Sequence, residues 1–148
     1  MVDRDAVGET GEPFEMDVER GKIREFGRAV RSSYPAYLED ERPVSPPTFL
    51  MTAAFWETPG SSPWRLVQMD QQRGLHGEQE FIFHGPPPRA GSRLTAQSRV
   101  DRIYTKEGRR GGTLTFAEMV TEFRDPDGRL VAESRLVGVE TSKPPEEG

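Results

Sequence analysis

None of the 148 residues is a cysteine, so a disulfide scaffold, a thiolate zinc site and a cysteine nucleophile are excluded at once. Histidine is almost as scarce, with only His76 and His84 present. Eight positions on one strand separate them by about 26 Å at ~3.3 Å per residue, too far to share one metal ion. Their even numbers would put them on the same face of an unbroken strand. Hydrophobic residues are also sparse, at 33%. No apolar run approaches the length of a membrane span, and the start, Met-Val-Asp-Arg-Asp, lacks the charged and then apolar regions of a signal peptide. A soluble cytoplasmic protein with no membrane contact is expected. Excess positive charge is missing too: the net charge of −5 argues against a nucleic-acid binder that relies on general attraction to phosphates.

What is present is enough for one domain with a real core. Much of the apolar deficit lies in two ends rich in Gly, Pro, Asp and Glu, residues 1–13 and 142–148, which are expected to fray because too little surface is buried to offset ordering entropy. The ordered domain then spans residues 14–141. Its organising stretch is Pro43 to Trp56. Ser45 is placed to cap a helix and Pro46 to occupy its first turn, and the residues that follow are apolar on nearly every side, as in a buried helix.

Elsewhere the pattern is amphipathic. Phe14 to Val18 alternates like a short strand, and Asp17 is placed to cap a helix over 19–31 whose Ile23, Phe26 and Val30 form one apolar stripe. Arg20, Lys22, Arg24, Glu25 and Arg28 fill its other face, so this helix is expected to act as a lid that packs by one side only. Residues 32–47 carry too much proline for regular structure, and 64–72 reads as a short helical or irregular piece. Strands are expected over 75–83, 93–104, 112–123 and 129–141, separated by the Pro86-Pro-Pro-Arg-Ala-Gly-Ser92 turn, a glycine-rich hairpin and Asp125-Pro-Asp-Gly128. Strands of about a dozen residues exceed the usual length. Long, curving strands suit a sheet that wraps a helix, so the fold class is α+β, a hot-dog with a long antiparallel sheet around a central buried helix.

The run Phe14 to Val30, then Ser45-Pro-Pro-Thr-Phe49, then Leu75-His-Gly-Glu-Gln-Glu-Phe81 and Arg89-Ala-Gly-Ser-Arg-Leu94 resembles the N-terminal domain of MaoC-like dehydratases. That group includes the non-catalytic subunits of fatty-acid-elongation dehydratases and one half of double-hot-dog (R)-specific enoyl-CoA hydratases. The resemblance implies binding of acyl thioesters of coenzyme A or acyl carrier protein and reversible hydration of 2-enoyl thioesters, with no cofactor and no metal. It also implies a homodimer, or a heterodimer or heterotetramer with a catalytic partner. Catalytic members carry Asp-x-Asn-Pro-x-His, whose Asp and His hold the water and move the proton. With Pro35 on the motif proline, Ser32 stands at the Asp place, Tyr34 at the Asn place and Tyr37 at the His place. Serine is a poor base and tyrosine titrates near pH ~10, so the resemblance is to the half that binds.

Candidate substrate contacts are Tyr37, Thr48, Phe49 and His76, with a closed core as the plainer role for Phe49 and a hydrogen-bonded strand position for His76. Arg99, Arg102 and Arg109, with Lys106 and Arg110, cluster at one hairpin and are candidates for the phosphates of coenzyme A; charged hairpin ends also serve solubility alone. Ser33, Ser45 and Thr48 have no His–Asp arrangement that would make a nucleophile. Two rival functions stay open. One is a hot-dog thioesterase, which would need a carboxylate near the helix start; Glu39, Asp40 and Glu41 precede it and Glu57 follows it, and Asp40 is the candidate. The other is a non-enzymatic acyl-CoA-binding homodimer.

Overall fold

The computed structural model describes residues 1–109 and 111–142. Strands β1 (Phe14–Asp17), β2 (Gly74–Phe83), β3 (Arg93–Glu107), β4 (Thr113–Arg124) and β5 (Leu130–Glu140) form an antiparallel sheet in the order β1-β3-β4-β5-β2. The register aligns Ala96 with Phe123, Phe123 with Ala132, and Ala132 with Phe83. Paired residues project to the same side, so these four define an inner face. Against it packs a 3-10 helix, Phe49–Phe55. Phe49, Leu50 and Ala53 join Leu94, Ala96, Phe123 and Ala132 in the main core. This is the expected helix on a curved sheet.

Helix α1 (Arg20–Ala29) covers the central helix from one side. Its Ile23 is fully buried, and its Phe26 ring meets Phe49 edge-on with centroids 5.7 Å apart. Val30, expected in the same stripe, is exposed, because the helix ends at Ala29. Asp17 does not cap α1. It ends β1 and binds the Arg93 guanidinium at 2.7 Å. A one-turn helix α2 (Pro35–Leu38) occupies part of the proline-rich loop, and α3 (Trp64–Val67) falls in the expected irregular piece.

Three expectations are corrected. The central helix is 3-10 rather than α, and it is not buried all round: Met51 and Phe55 are exposed, Phe55 at 79%. Ser45 does not cap it. The helix begins only at Phe49, with Thr48 at its N-cap position, so Ser45 lies too far upstream to bond its first N–H groups. The Ser45 N–H instead donates to the Pro88 carbonyl at 2.9 Å, and its buried hydroxyl has no partner among the described residues. Residues 1–13 are not frayed. They run along β3 beyond β1, with the Gly8 N–H donating to the Val100 carbonyl, the Val100 N–H to Glu9, and the Gly11 N–H to Ser98, each at 2.9 Å. Val2 and Ala6 then bury themselves with Val67, Val100 and Ala117 in a second core on the inner face. Composition undervalued this segment because its stability comes from backbone groups satisfied along an open strand flank. Of the expected C-terminal tail, 143–148 lie outside the described residues.

Candidate functional site

The loop from Ser32 to Tyr37 is placed by the end of α1 and by Pro35, which opens α2. The Ser32 N–H donates to the Gly27 carbonyl at 2.9 Å, and the Ser32 hydroxyl accepts from the Tyr34 N–H at 3.2 Å. Tyr37 is half-buried against the main core. Its ring meets Tyr34 edge-on at 5.0 Å, and it packs beside Gly27, where an added Cβ would already touch it. The Tyr37 hydroxyl has no hydrogen-bond partner among the described residues. This corner therefore holds two aromatic rings and a serine, with no carboxylate or imidazole hydrogen-bonded to them among the described residues.

The other candidates do not converge on it. Phe49 is 0% exposed and sits in the main core, the plainer of its two expected roles. Thr48 flanks the central helix and is exposed. His76 lies on β2, far along the sheet. A β-bulge between His76 and Glu78 shifts the register, so His76 pairs with Gly138 on the inner face. His84 sits on the opposite face and bonds Glu133 at 2.7 Å. The bulge explains the departure from simple alternation: Gly77 has no side chain, and a Cβ there would collide with Val139. Among the described residues no group of three or more His, Asp or Glu is placed to hold a metal ion.

His76 borders a cleft of about 490 Å³ that the sequence did not reveal. Trp64, Met69, Leu75, Leu136 and Gly138 are among the residues that line it. A Cβ on Gly138 would overlap the Trp64 ring, so the glycine is what seats the indole on the sheet. The only sequence signal was a glycine inside a long strand, a common mark of close approach. Apolar groups with His76, Gln68, Gln71 and Arg65 among them suit a ligand that has both a hydrocarbon part and a polar part.

The arginine candidates fare differently. Arg99 bonds Glu122 and Asp101, each at 3.1 Å, and Arg102 bonds Glu118 at 2.8 Å. Both guanidiniums are engaged with carboxylates on the outer face of the sheet, so a phosphate bound there would compete with these ion pairs. Arg109 has no described carboxylate partner and lines a groove with Lys106 and Phe116; Arg110 lies outside the described residues. Glu118 is 3% exposed. Burial works to raise its pKa, but hydrogen bonds from Arg102, Arg135 and Tyr104 overcome this and hold it below the usual carboxylate range. Asp101 is likewise lowered, its burial outweighed by Arg135 and Arg99. Carboxylates so stabilised are weak bases, and this cluster serves structure. Asp40 is exposed, accepting from the Arg42 N–H and lying 3.7 Å from Arg89.

A five-stranded antiparallel sheet folded over a short central helix, with long β3, β4 and β5, is the hot-dog domain of the MaoC-like dehydratases. Residues 5–134 match the family described as the FAS1-like dehydratase domain region, and the chain belongs to that family. A UPF0336 protein of Streptomyces griseus is 32% identical over 139 residues, covering 88% of this chain and 89% of that one. Among solved structures, the C-terminally truncated HadBC (3R-hydroxyacyl-ACP dehydratase) complex of Mycobacterium tuberculosis superposes with a TM-score of 0.68 at 26% identity, over 91% of this chain and 97% of that one. A MaoC-like dehydratase superposes with a TM-score of 0.71 at 24% identity, over 91% of this chain and 42% of that one. Among the described residues no helix is long and apolar enough to cross a membrane.

Proposed function

We propose that this chain is the substrate-binding, non-catalytic subunit of a MaoC-like hydratase or dehydratase acting on 2-enoyl or 3-hydroxyacyl thioesters, and that a catalytic hot-dog partner supplies the acid–base pair. The observation that carries this reading is the corner at Ser32, Tyr34 and Tyr37. The chemistry needs a base near neutral pH and a group that fixes the water, and among the described residues no carboxylate or imidazole hydrogen-bonds to Ser32, Tyr34 or Tyr37. The cleft beside Trp64, Leu136 and His76 supports the binding half of the reading, since its walls suit an acyl chain. The exposed Met51 and Phe55 on the central helix, and Leu75 and Ile82 on edge strand β2, support pairing with a second hot-dog domain.

Titration of the pure chain with a saturated medium-chain acyl-CoA tests the reading. Leu136→Trp fills the cleft without removing charge, so it is expected to weaken binding tenfold or more while the melting temperature stays within a few degrees. Acyl-CoA binding unchanged by Leu136→Trp would remove the cleft from the account.

A further inference from the structure

One row of residues on the inner face runs from the second core into the cleft. Ile103 pairs with Ala117, Ala117 with Gly138, and Gly138 with His76, so all four positions share a side of the sheet. Ala117 belongs to the second core and Ile103 packs against it, whereas Gly138 and His76 line the cleft. Ala117 and Gly138 present at most a methyl group, so the sheet itself raises no barrier between the two spaces. The partition is made by Trp64 and Met69. Both line the cleft, and both also pack against the second core. A Cβ on Gly138 would meet the indole and would stand 3.2 Å from the Met69 methyl group, so the two side chains rest over the same glycine.

The partition is carried on a strained turn. Gln68, which follows α3 and lines the cleft, has a φ of 52°, a left-handed conformation that a residue with a side chain keeps only where its surroundings impose it. Two ties impose it. On the sheet side the Asp70 N–H donates to the Glu140 carboxylate at 2.8 Å, and Arg73 bonds both acids at 2.8 and 3.2 Å. On the other side the Asp3 N–H donates to the Val67 carbonyl at 2.9 Å. The second tie comes from the N-terminal segment, whose buried Val2 and Ala6 also occupy the second core beside Trp64 and Met69. Segments held by so few contacts open more readily than strands inside a sheet.

We infer that Val2 and Ala6 of the N-terminal segment fix where the cleft ends, and so select the length of acyl chain that it accepts; this rests on the acyl-thioester reading above. A chain that grows along Gly138 toward Ala117 meets Trp64 and Met69. These can retreat only into the space that Val2 and Ala6 fill. With the segment seated the cleft is closed at the partition, and with it lifted the cleft and the second core become one apolar channel over the same row of small residues. Methionine adapts its shape readily, so Met69 is the side chain that yields first. Val2 and Ala6 act through Trp64 and Met69 and are positioning residues.

Titration of the full chain with saturated acyl-CoA esters of increasing length tests this. For the wild type, affinity is expected to rise about fourfold per added methylene while the chain is being buried, and to level off once it reaches Trp64 and Met69. Val2→Asp places in the second core a carboxylate that cannot stay there unpaired, so it should lift the segment and move the levelling-off point about two carbons or more toward longer chains. Val2→Ala makes the same test if the charge disturbs folding, with a shift of about one carbon. Ala6→Leu adds bulk behind the partition and should shift the point toward shorter chains. A segment that merely seals the core would weaken binding equally at every length, and that result, or an unshifted point in folded variants, overturns the inference while leaving acyl-CoA binding in place. Absent binding of every ester by the wild type overturns the acyl-thioester reading and this inference with it. A second readout needs no ligand: with Trp56→Phe as background, Trp64 is the sole tryptophan, and its emission should move to the red in Val2→Asp. Unchanged emission would break the link between the segment and the partition.

Discussion

Tyr37 stands at the place the resemblance gives to an imidazole, and its hydroxyl meets no partner among the described residues, so at this residue the oxygen should matter little and the ring should matter more. Tyr37→Phe is expected to change stability by less than about 0.5 kcal/mol and to leave the turnover of a partnered complex unaltered. Tyr37→Ala should cost roughly 1.5–3 kcal/mol, toward the lower end for a half-buried ring. Urea melts and an enoyl-thioester hydration assay read both. A tenfold loss of turnover in Tyr37→Phe, with assembly intact, would mean that the hydroxyl still orients substrate or water. Glu118 and Asp101 set a second residue-scale expectation. Both pKa values are lowered in the folded state, so the unfolded chain takes up protons first on acidification. Their stabilisation is complete above the ordinary carboxylate range and is lost as pH falls through it toward the depressed values. Urea midpoints should therefore drop on going from pH 6 to below 4, and Glu118→Gln should flatten that decline.

At the scale of elements, the strands were legible because β3 alternates buried and open positions and because the turns carry Gly, Pro and Asp where backbone angles demand them. Strand β3 runs three residues past the expected end at Tyr104, since its hairpin with β4 keeps pairing to Glu107 and Thr113. The central helix was legible as apolar but not as 3-10, nor as open on one side; both follow from the paired prolines and from what the sheet leaves uncovered. The bulge at Gly77 and the cleft under Trp64 arise from contacts between segments over sixty residues apart, which local pattern does not encode. The N-terminal segment is the sharpest case. Gly11 approaches Ser61 so closely that a Cβ would overlap its carbonyl oxygen. Gly11→Ala is thus expected to cost about 1–3 kcal/mol, the usual range for overpacking, and to make residues 1–11 the first site of limited proteolysis. A variant as stable and as protease-resistant as wild type would show that the segment contributes little.

For the whole molecule, the open flank of β2 and the bare side of the central helix put exposed Leu75, Ile82, Met51 and Phe55 where a second hot-dog domain would cover them. An unpaired strand edge is an aggregation hazard that proteins cover or blunt, so light scattering at micromolar concentration is expected to show a homodimer, or a heterodimer when a catalytic subunit is present. A clean monomer would count against this pairing. The assembly and the division of labour meet in one measurement: hydration of crotonyl-CoA and longer enoyl-CoA substrates by the pure chain, by a hot-dog subunit carrying Asp-x-Asn-Pro-x-His, and by the two co-expressed. The account predicts no turnover by this chain alone and, on long substrates, a complex at least tenfold more efficient in kcat/KM than the catalytic subunit by itself. Robust turnover by the pure chain, absent from a control preparation lacking it, would contradict the account.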